Sequence, residues 1–204
     1  IPEKIGKHFS AEPAVEGTIR ERVGQLYLNM GQPMRAAEFL EQGATLLEQG
    51  MGPDHRRTLS AHQRLAELLF DLLRYGEAAA EFDRVYAARL RLLGPEDIYT
   101  LNSMLRRGVA RVLDQQIDLG LKDVETAAAE YRRLAGAGSR HDLIARQQLI
   151  IALNAADRPA QAETAARSAL SDISKTPSLA AAEADFRVAL GESLRRQQRW
   201  SEAL

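Results

Sequence analysis

Few residues in this chain are of types that do chemistry. There is no cysteine, which excludes thiol catalysis, disulfide scaffolds and zinc ribbons. Four histidines are present: His8, His55, His62 and His141. His55 and His62 stand seven residues apart, about two helical turns, so their rings can share a face as metal ligands. A structural role competes with that reading, with His55 in a turn and His62 in a packing column. Gly136-Ala137-Gly138-Ser139 has the glycines of a phosphate cradle, but no strand pattern precedes it and no Lys-Ser or Lys-Thr follows. It reads as a loosened loop. Trp200 offers a ring for stacking on a ligand, but its column holds Tyr75 and Pro33 in other units, so packing at a helix turn is the expected role. The carboxylates are scattered, and no Ser-His-Asp arrangement emerges from their spacing. The expectation is a chain with no catalytic residue, no metal and no cofactor, and hence no enzyme.

The composition agrees with a packed, non-catalytic domain. Of 204 residues, 45% are apolar and 27% charged, as in ordinary globular chains. Twenty-seven basic residues against twenty-eight acidic ones give a net charge of −1, which argues against a nucleic-acid partner. No apolar run approaches the roughly 18 to 20 residues of a membrane span. The compartment stays open between cytoplasm and periplasm. Arg outnumbers Lys twenty-three to four, a bias that suggests a bacterium with a GC-rich genome. Ala, Leu, Arg, Glu and Gln dominate while β-branched residues are sparse, so the predicted class is all-α. The chain opens on Ile1 rather than methionine, and reads as an excised piece of a longer protein.

The elements follow from an internal repeat. Gly-Pro, an acidic residue and Thr-Leu occur at Gly52–Leu59 and again 42 residues later, from Gly94. A column of mostly small residues holds Gly24, Ala66, Gly108, Ile150 and Gly191. Twelve residues on, a second column holds Ala36, Ala78, Gly120, Ala162 and Ala203. Small side chains in paired columns let the two helices of a hairpin cross closely. The predicted organisation is a helix end over 1–13, with Ile5 and Phe9 on one face, and then an array of about 4.5 helical hairpins. Their bounds are 14–51, 52–93, 94–135, 136–176 and an incomplete 177–204.

Within the second unit, Asp54 is the predicted N-cap and Leu59, Leu65, Leu68, Leu69 and Leu72 form the apolar stripe. Arg74-Tyr75-Gly76 is the predicted turn. Ala78, Phe82, Val85 and Leu92 line the second helix, and Gly94-Pro95 ends it. Thr176-Pro177 reads as a cap followed by proline at the first helical position, with Glu183 soon after. The third unit departs from the pattern. Arg107, Arg111 and Asp114 occupy columns that are apolar in the second, which puts its packing register in question. The fifth unit stops inside its second helix, so an apolar edge is expected around Leu194 and Trp200. Continuation of the chain would cover it, and a homodimer through that edge is the lesser alternative.

The pattern Gly24, Tyr27, Ala36 and Leu40, repeated as Ala66, Leu69, Ala78 and Phe82, resembles the tetratricopeptide repeat. The 42-residue period and the Gly-Pro-Asp-His and Thr-Leu signature at Gly52–Leu59 are similar to the kinesin-light-chain type of that repeat. The resemblance covers residues 14 to 204 and implies a right-handed superhelical solenoid of antiparallel helix hairpins. It also implies a partner-binding groove lined by the first helix of each hairpin. Carried onto this chain, the family's groove positions include Arg22, Gln25 and Asn29 in the first unit and Gln63, Arg64 and Phe70 in the second. Arg106 and Val109 follow in the third unit, and Gln148 and Asn154 in the fourth. Arg22, Arg64 and Arg106 form a column at constant phase whose guanidinium forks suit carboxylates, while the amides suit a peptide backbone. An apolar patch in the third unit is available for a side-chain anchor. The alternative is that these are solvated helix faces held by pairs four residues apart, such as Glu21 and Gln25. Glu21 and Gln63 stand where a heat-shock-chaperone clamp has its first Lys, so that partner is not expected. The function implied is binding of a peptide or partner protein along the concave face. A second implied role, from the resemblance of Ile1–Pro13 followed by Val23–Tyr27 to the start of such arrays, is as a sensor region. Such arrays are fused to bacterial Ser/Thr kinases or membrane-anchored transcription regulators.

Overall fold

A computed structural model describes residues 11–176 and 179–203. The expected helix carrying Ile5 and Phe9, and Pro177 and Leu204, lie outside the described residues. The chain divides at Gly94 into two compact units. The N-terminal unit holds α1 (Pro13–Asn29), α2 (Pro33–Met51), α3 (Arg56–Asp71) and α4 (Tyr75–Leu93). The C-terminal unit holds α5 (Ile98–Leu113), α6 (Ile117–Ala135), α7 (Arg140–Ala155), α8 (Pro159–Ser174) and α9 (Ala180–Arg196), followed by a 3₁₀ turn at Trp200–Glu202. Consecutive helices pair as hairpins, and no strand occurs among the described residues.

The helix starts follow from local chemistry. Pro13, Pro33 and Pro159 occupy the first helical position, where a missing N–H costs nothing. Asp97 Oδ1 accepts from the amides of Tyr99 and Thr100 at 2.8 and 3.3 Å, and Ser139 Oγ accepts from that of Asp142 at 3.2 Å. At α3 the cap is His55, whose Nδ1 accepts from the Arg57 amide at 3.2 Å; the predicted cap, Asp54, instead pairs with Arg91 at 2.5 Å.

Two kinds of turn alternate. Between hairpins, Gly52, Gly94 and Gly136 end the preceding helix at φ of 90°, 85° and 86°, where a side chain would be strained. Within hairpins, a left-handed residue recurs at Gly31, Leu73, Gln115, Asp157 and Gln198, with φ between 56° and 68°. The following amide reaches back five residues to a carbonyl, as from Arg74 to Leu69 at 2.9 Å and from Gln116 to Arg111 at 2.8 Å. This closes the orphan carbonyls of the first helix in a Schellman motif. The second hairpin's turn is therefore Leu72–Arg74, and Tyr75 and Gly76, predicted as turn, already belong to α4. Leu92 is 51% exposed and does not line the inner face.

The paired small-residue columns are seams between helices. A Cβ on Gly108 would stand 2.8 Å from the Gly120 carbonyl oxygen, and one on Gly120 would stand 2.6 Å from that of Gly108. Ala66, Ala78, Ile150 and Ala162 are fully buried at the equivalent places. The α1–α2 seam is comparably tight: a Cβ on Gly17 would meet the Gly43 oxygen at 2.9 Å, and one on Gly50 the Ala14 nitrogen at 2.5 Å. Phe82, Leu47, Leu105, Ile150 and Leu194 are among the largest fully buried side chains. Leu194 is thus core and not exposed edge, while Trp200 is 61% exposed.

The third hairpin keeps its register despite its charges. Arg107 donates from Nε and Nη2 to the two oxygens of Asp123, both at 2.8 Å, and Arg111 adds Nη1 at 2.8 Å. Arg107 and Asp123 are both buried. A complete ion pair thus replaces the apolar contacts of the second hairpin, because a buried charge is tolerated when its hydrogen bonds are met.

Candidate partner-binding faces

In the N-terminal unit the first helices of the hairpins are α1 and α3. Their link is ionic: Glu21 of α1, 8% exposed, accepts from Arg64 Nη1 at 2.5 Å and lies 3.8 Å from Arg57. Arg64 is thereby committed to holding two hairpins together. Arg22 is exposed and has no partner among the described residues. Beside it the exposed amides of Gln25 and Asn29 bond each other at 3.3 Å, in place of the expected Glu21–Gln25 pair. Gln63 gives its amide to Glu67 at 3.0 Å and takes a bond from Arg89 at 2.6 Å. Phe70, half-buried, meets Tyr75 edge-on with ring centroids 5.3 Å apart.

In the C-terminal unit α7 packs on α5 and α9 on α7, and this stacking changes which predicted positions reach the surface. Arg106 is exposed without a partner among the described residues, and Gln148 is half-buried. Val109 is 2% exposed and Asn154 is 6% exposed, so neither presents a face to a partner. Asn154 instead gives its side-chain amide to Ser193 Oγ at 3.1 Å, and its main-chain oxygen accepts from Arg196 at 3.1 Å. Leu105 and Val112 are buried too. The apolar patch expected in the third hairpin is thus largely withdrawn into the core, while in the fourth hairpin Ile144 and Ile151 are 42% and 43% exposed. A cleft of about 400 Å³ runs between α7 and α9, with Ile144, Gln147 and Phe186 in its walls and Arg140 and Asp185 at its rim.

A larger cleft, about 600 Å³, lies on the other side of the same unit, between α6, α7 and α8. Its floor is Leu149 and Leu153, and Arg146 crosses it to Asp172 at 2.8 Å and to Ser168 Oγ at 2.8 Å. The hydrogen bond from Arg146, then that from Arg132, holds the Asp172 carboxyl below its ordinary range. Sequence reasoning passed over this cleft; its signal is Ala165, a small residue in a column that is large in the other hairpins.

The histidines do not form a shared site. His55 is exposed at its cap, while His62 is buried with Nδ1 2.5 Å from Glu81 and Nε2 3.3 Å from Glu48. Among the described residues there is no trio of His, Asp or Glu arranged to hold a metal ion, and no helix long and apolar enough to cross a membrane.

No protein-family model matches the chain. A stretch of 106 residues, 52% of the chain, is 33% identical to part of a glycerol-3-phosphate acyltransferase from Pseudomonas entomophila (strain L48). The match spans 12% of that protein's length. Solved structures match over nearly the whole chain. A putative kinesin light chain from Podosopora anserina with nearly identical TPR-like repeats superposes with a TM-score of 0.78 at 18% identity. That match covers 94% of this chain and 91% of the other. BtubC (BKLC) from P. vanneervenii gives 0.68 at 13% identity, covering 99% and 81%. YrrB, described as a TPR protein with an unusual peptide-binding site, gives 0.52 at 17% identity, covering 100% and 89%. With its 42-residue hairpins, the chain has the tetratricopeptide-type helical-repeat fold, in the form seen in kinesin-light-chain-like repeats.

Proposed function

We propose that the chain is a non-enzymatic protein-interaction module that binds an extended peptide or partner helix along the first helices of its hairpins. The observation that carries this reading is on α1. An Arg22 guanidinium without a partner among the described residues stands beside the exposed Gln25–Asn29 amide pair, on a face whose two helices are already clamped by Glu21 and Arg64. Those groups are left over after the fold's own needs are met, and they match a carboxylate and a peptide backbone. Arg106 and Gln148 supply a similar set in the C-terminal unit. The residues best suited to acid–base work are engaged elsewhere: His62 against Glu81, and Asp123 between Arg107 and Arg111. The acyltransferase relative shares too small a part of its length to bring its activity to this chain.

The test is affinity capture from bacterial lysate and envelope fractions with wild type beside the Arg22→Ala/Arg106→Ala variant. Arg64 is left intact because its ion pair is structural. A protein retained by wild type and lost with the variant supports the reading and names the partner. Equal recovery by both moves the binding surface off the first helices.

A further inference from the structure

We infer that the cleft between α6, α7 and α8 is a socket for an aromatic side chain of a protein partner that carries a basic residue beside it. The argument starts from one column of the repeat, which holds Phe39, Glu81, Asp123 and Ala165 at intervals of 42. In the first three hairpins that residue fills the space between the second helix and the first. Phe39 stacks on Tyr27 with ring centroids 5.3 Å apart and planes at 22°. Glu81 sets its carboxylate 2.5 Å from His62. Asp123 is gripped by Arg107 and Arg111. In the fourth hairpin the column holds only a methyl group, and the residues in the places of Tyr27 and Leu65 are Leu153 and Leu149. The cleft of about 600 Å³ opens over these two leucines. Its volume lies in the range of sites that take an organic group.

Shape and charge select the occupant. Ala128 and Ala129 of α6 and Ala165 of α8 make the walls beside the leucine floor apolar, so the group that fits is the one the first hairpin supplies for itself, a ring. The cations present are already matched. Arg146 and Arg132 reach Asp172 at 2.8 and 3.1 Å, with Asp142 behind them at 3.5 and 3.7 Å. Two positive and two negative charges therefore cancel inside the cleft. Glu125, exposed on the lining, has no partner among the described residues and leaves the mouth negative. The complementary ligand carries a positive charge next to its ring. Arg132, with its side chain 44% exposed, adds a guanidinium that can lie against the ring face. This surface is formed by the second helices of the hairpins together with the floor of α7, and is separate from the first-helix face proposed above.

The test is an NMR titration of the chain with three blocked dipeptides: acetyl-Phe-Arg-amide, acetyl-Phe-Glu-amide and acetyl-Ala-Arg-amide. Saturable shifts with acetyl-Phe-Arg-amide, centred on Ala128, Leu149 and Ala165, are expected in the millimolar range usual for so small a probe. The other two dipeptides are expected to bind at least about tenfold more weakly. Ala165→Phe, which builds the plug from within, removes the binding while the melting temperature shows the variant folded. Glu125→Lys, an exposed change that leaves the fold alone, reverses the preference between the Arg and Glu dipeptides. Absence of saturation up to about 10 mM, shifts centred elsewhere, or equal binding by wild type and Ala165→Phe would each overturn the inference.

Discussion

The second helix of a hairpin presents Phe39 and then Glu81 to its first helix in the N-terminal unit, and Asp123 and then Ala165 in the C-terminal one. The backbone crossing behind these four residues is maintained in every case by small or tightly packed residues: Gly24 against Ala36, Ala66 against Ala78, Gly108 against Gly120, Ile150 against Ala162. The seam therefore sets the repeat. What lies beside the seam is free to vary between an aromatic stack, a histidine–carboxylate contact, an arginine–carboxylate clamp and an open cleft. The condition is that any buried charge is matched.

The strongest way to break this comparison is to remove the buried carboxylate of the third hairpin. Asp123→Ala removes the two bonds that Asp123 makes to Arg107, which is 8% exposed, and its bond to Arg111. A loss of about 3–5 kcal/mol is expected from urea unfolding. The triple change Arg107→Leu, Arg111→Leu and Asp123→Phe imports the apolar contents of the other unit. It should return stability to within about 1–2 kcal/mol of wild type, since well-packed apolar groups replace a buried ion pair at little cost. A triple variant as unstable as Asp123→Ala would show that the column is not interchangeable.

The seam itself comes next. Gly120→Ala gains about 1 kcal/mol of helix propensity. Its Cβ, however, would stand 2.6 Å from the Gly108 oxygen and 2.7 Å from the Val112 nitrogen, both backbone atoms that move only with their helix. A net loss of about 1–3 kcal/mol is expected, and unchanged stability would mean that the crossing is not set by this contact. The helix pairing was legible in advance because such residues recur at a fixed interval. Gly17, Gly43 and Gly50 line the α1–α2 seam but fall outside the recurring columns, so nothing in the pattern marked them. Val109 and Asn154 were misplaced for a different reason. Helix phase gives the side on which a residue lies, but the neighbouring helix decides whether that side meets water. The large cleft was illegible as a motif, since its mark is a missing side chain, visible only when Ala165 is set against Phe39, Glu81 and Asp123.

Acid should separate the two units. In the C-terminal unit Asp172 is held low by bonds from Arg146 and Arg132, and Glu163 by bonds from Gln197 and then Arg167. In the N-terminal unit the lowered carboxyl is Glu77, with its Arg74 partner, and its side chain is 57% exposed, where solvent screening leaves little effect. A carboxyl whose folded pKa is depressed stabilises the fold above its unfolded value, near pH 4, and that contribution fades as the pH falls through the folded value. Amide exchange followed from neutral pH down through this range should show the C-terminal unit opening first. Asp172→Asn should lower the stability of the C-terminal unit at neutral pH and flatten its further loss on acidification. Simultaneous opening of both units would argue that these ion pairs are too screened to matter.

The smallest effect is expected in the turns, and it runs toward greater stability. All five turns within hairpins place one residue in the left-handed region, yet only Gly31 is a glycine. Leu73 stands there at φ 61° with 69% of its surface exposed, so it bears the steric cost of a Cβ without the return of burial. Leu73→Gly relieves that strain but loosens the unfolded chain, and the two effects partly cancel. A gain of about 0.5–1 kcal/mol is expected. Asp157→Gly at the equivalent turn of the C-terminal unit should gain less, since an Asp side chain tolerates this conformation better than Leu. Denaturation midpoints of the two variants decide the matter. A loss at Leu73→Gly would show that its exposed side chain holds contacts that its exposure does not reveal, and equal gains would show that only the backbone angle counts at these turns.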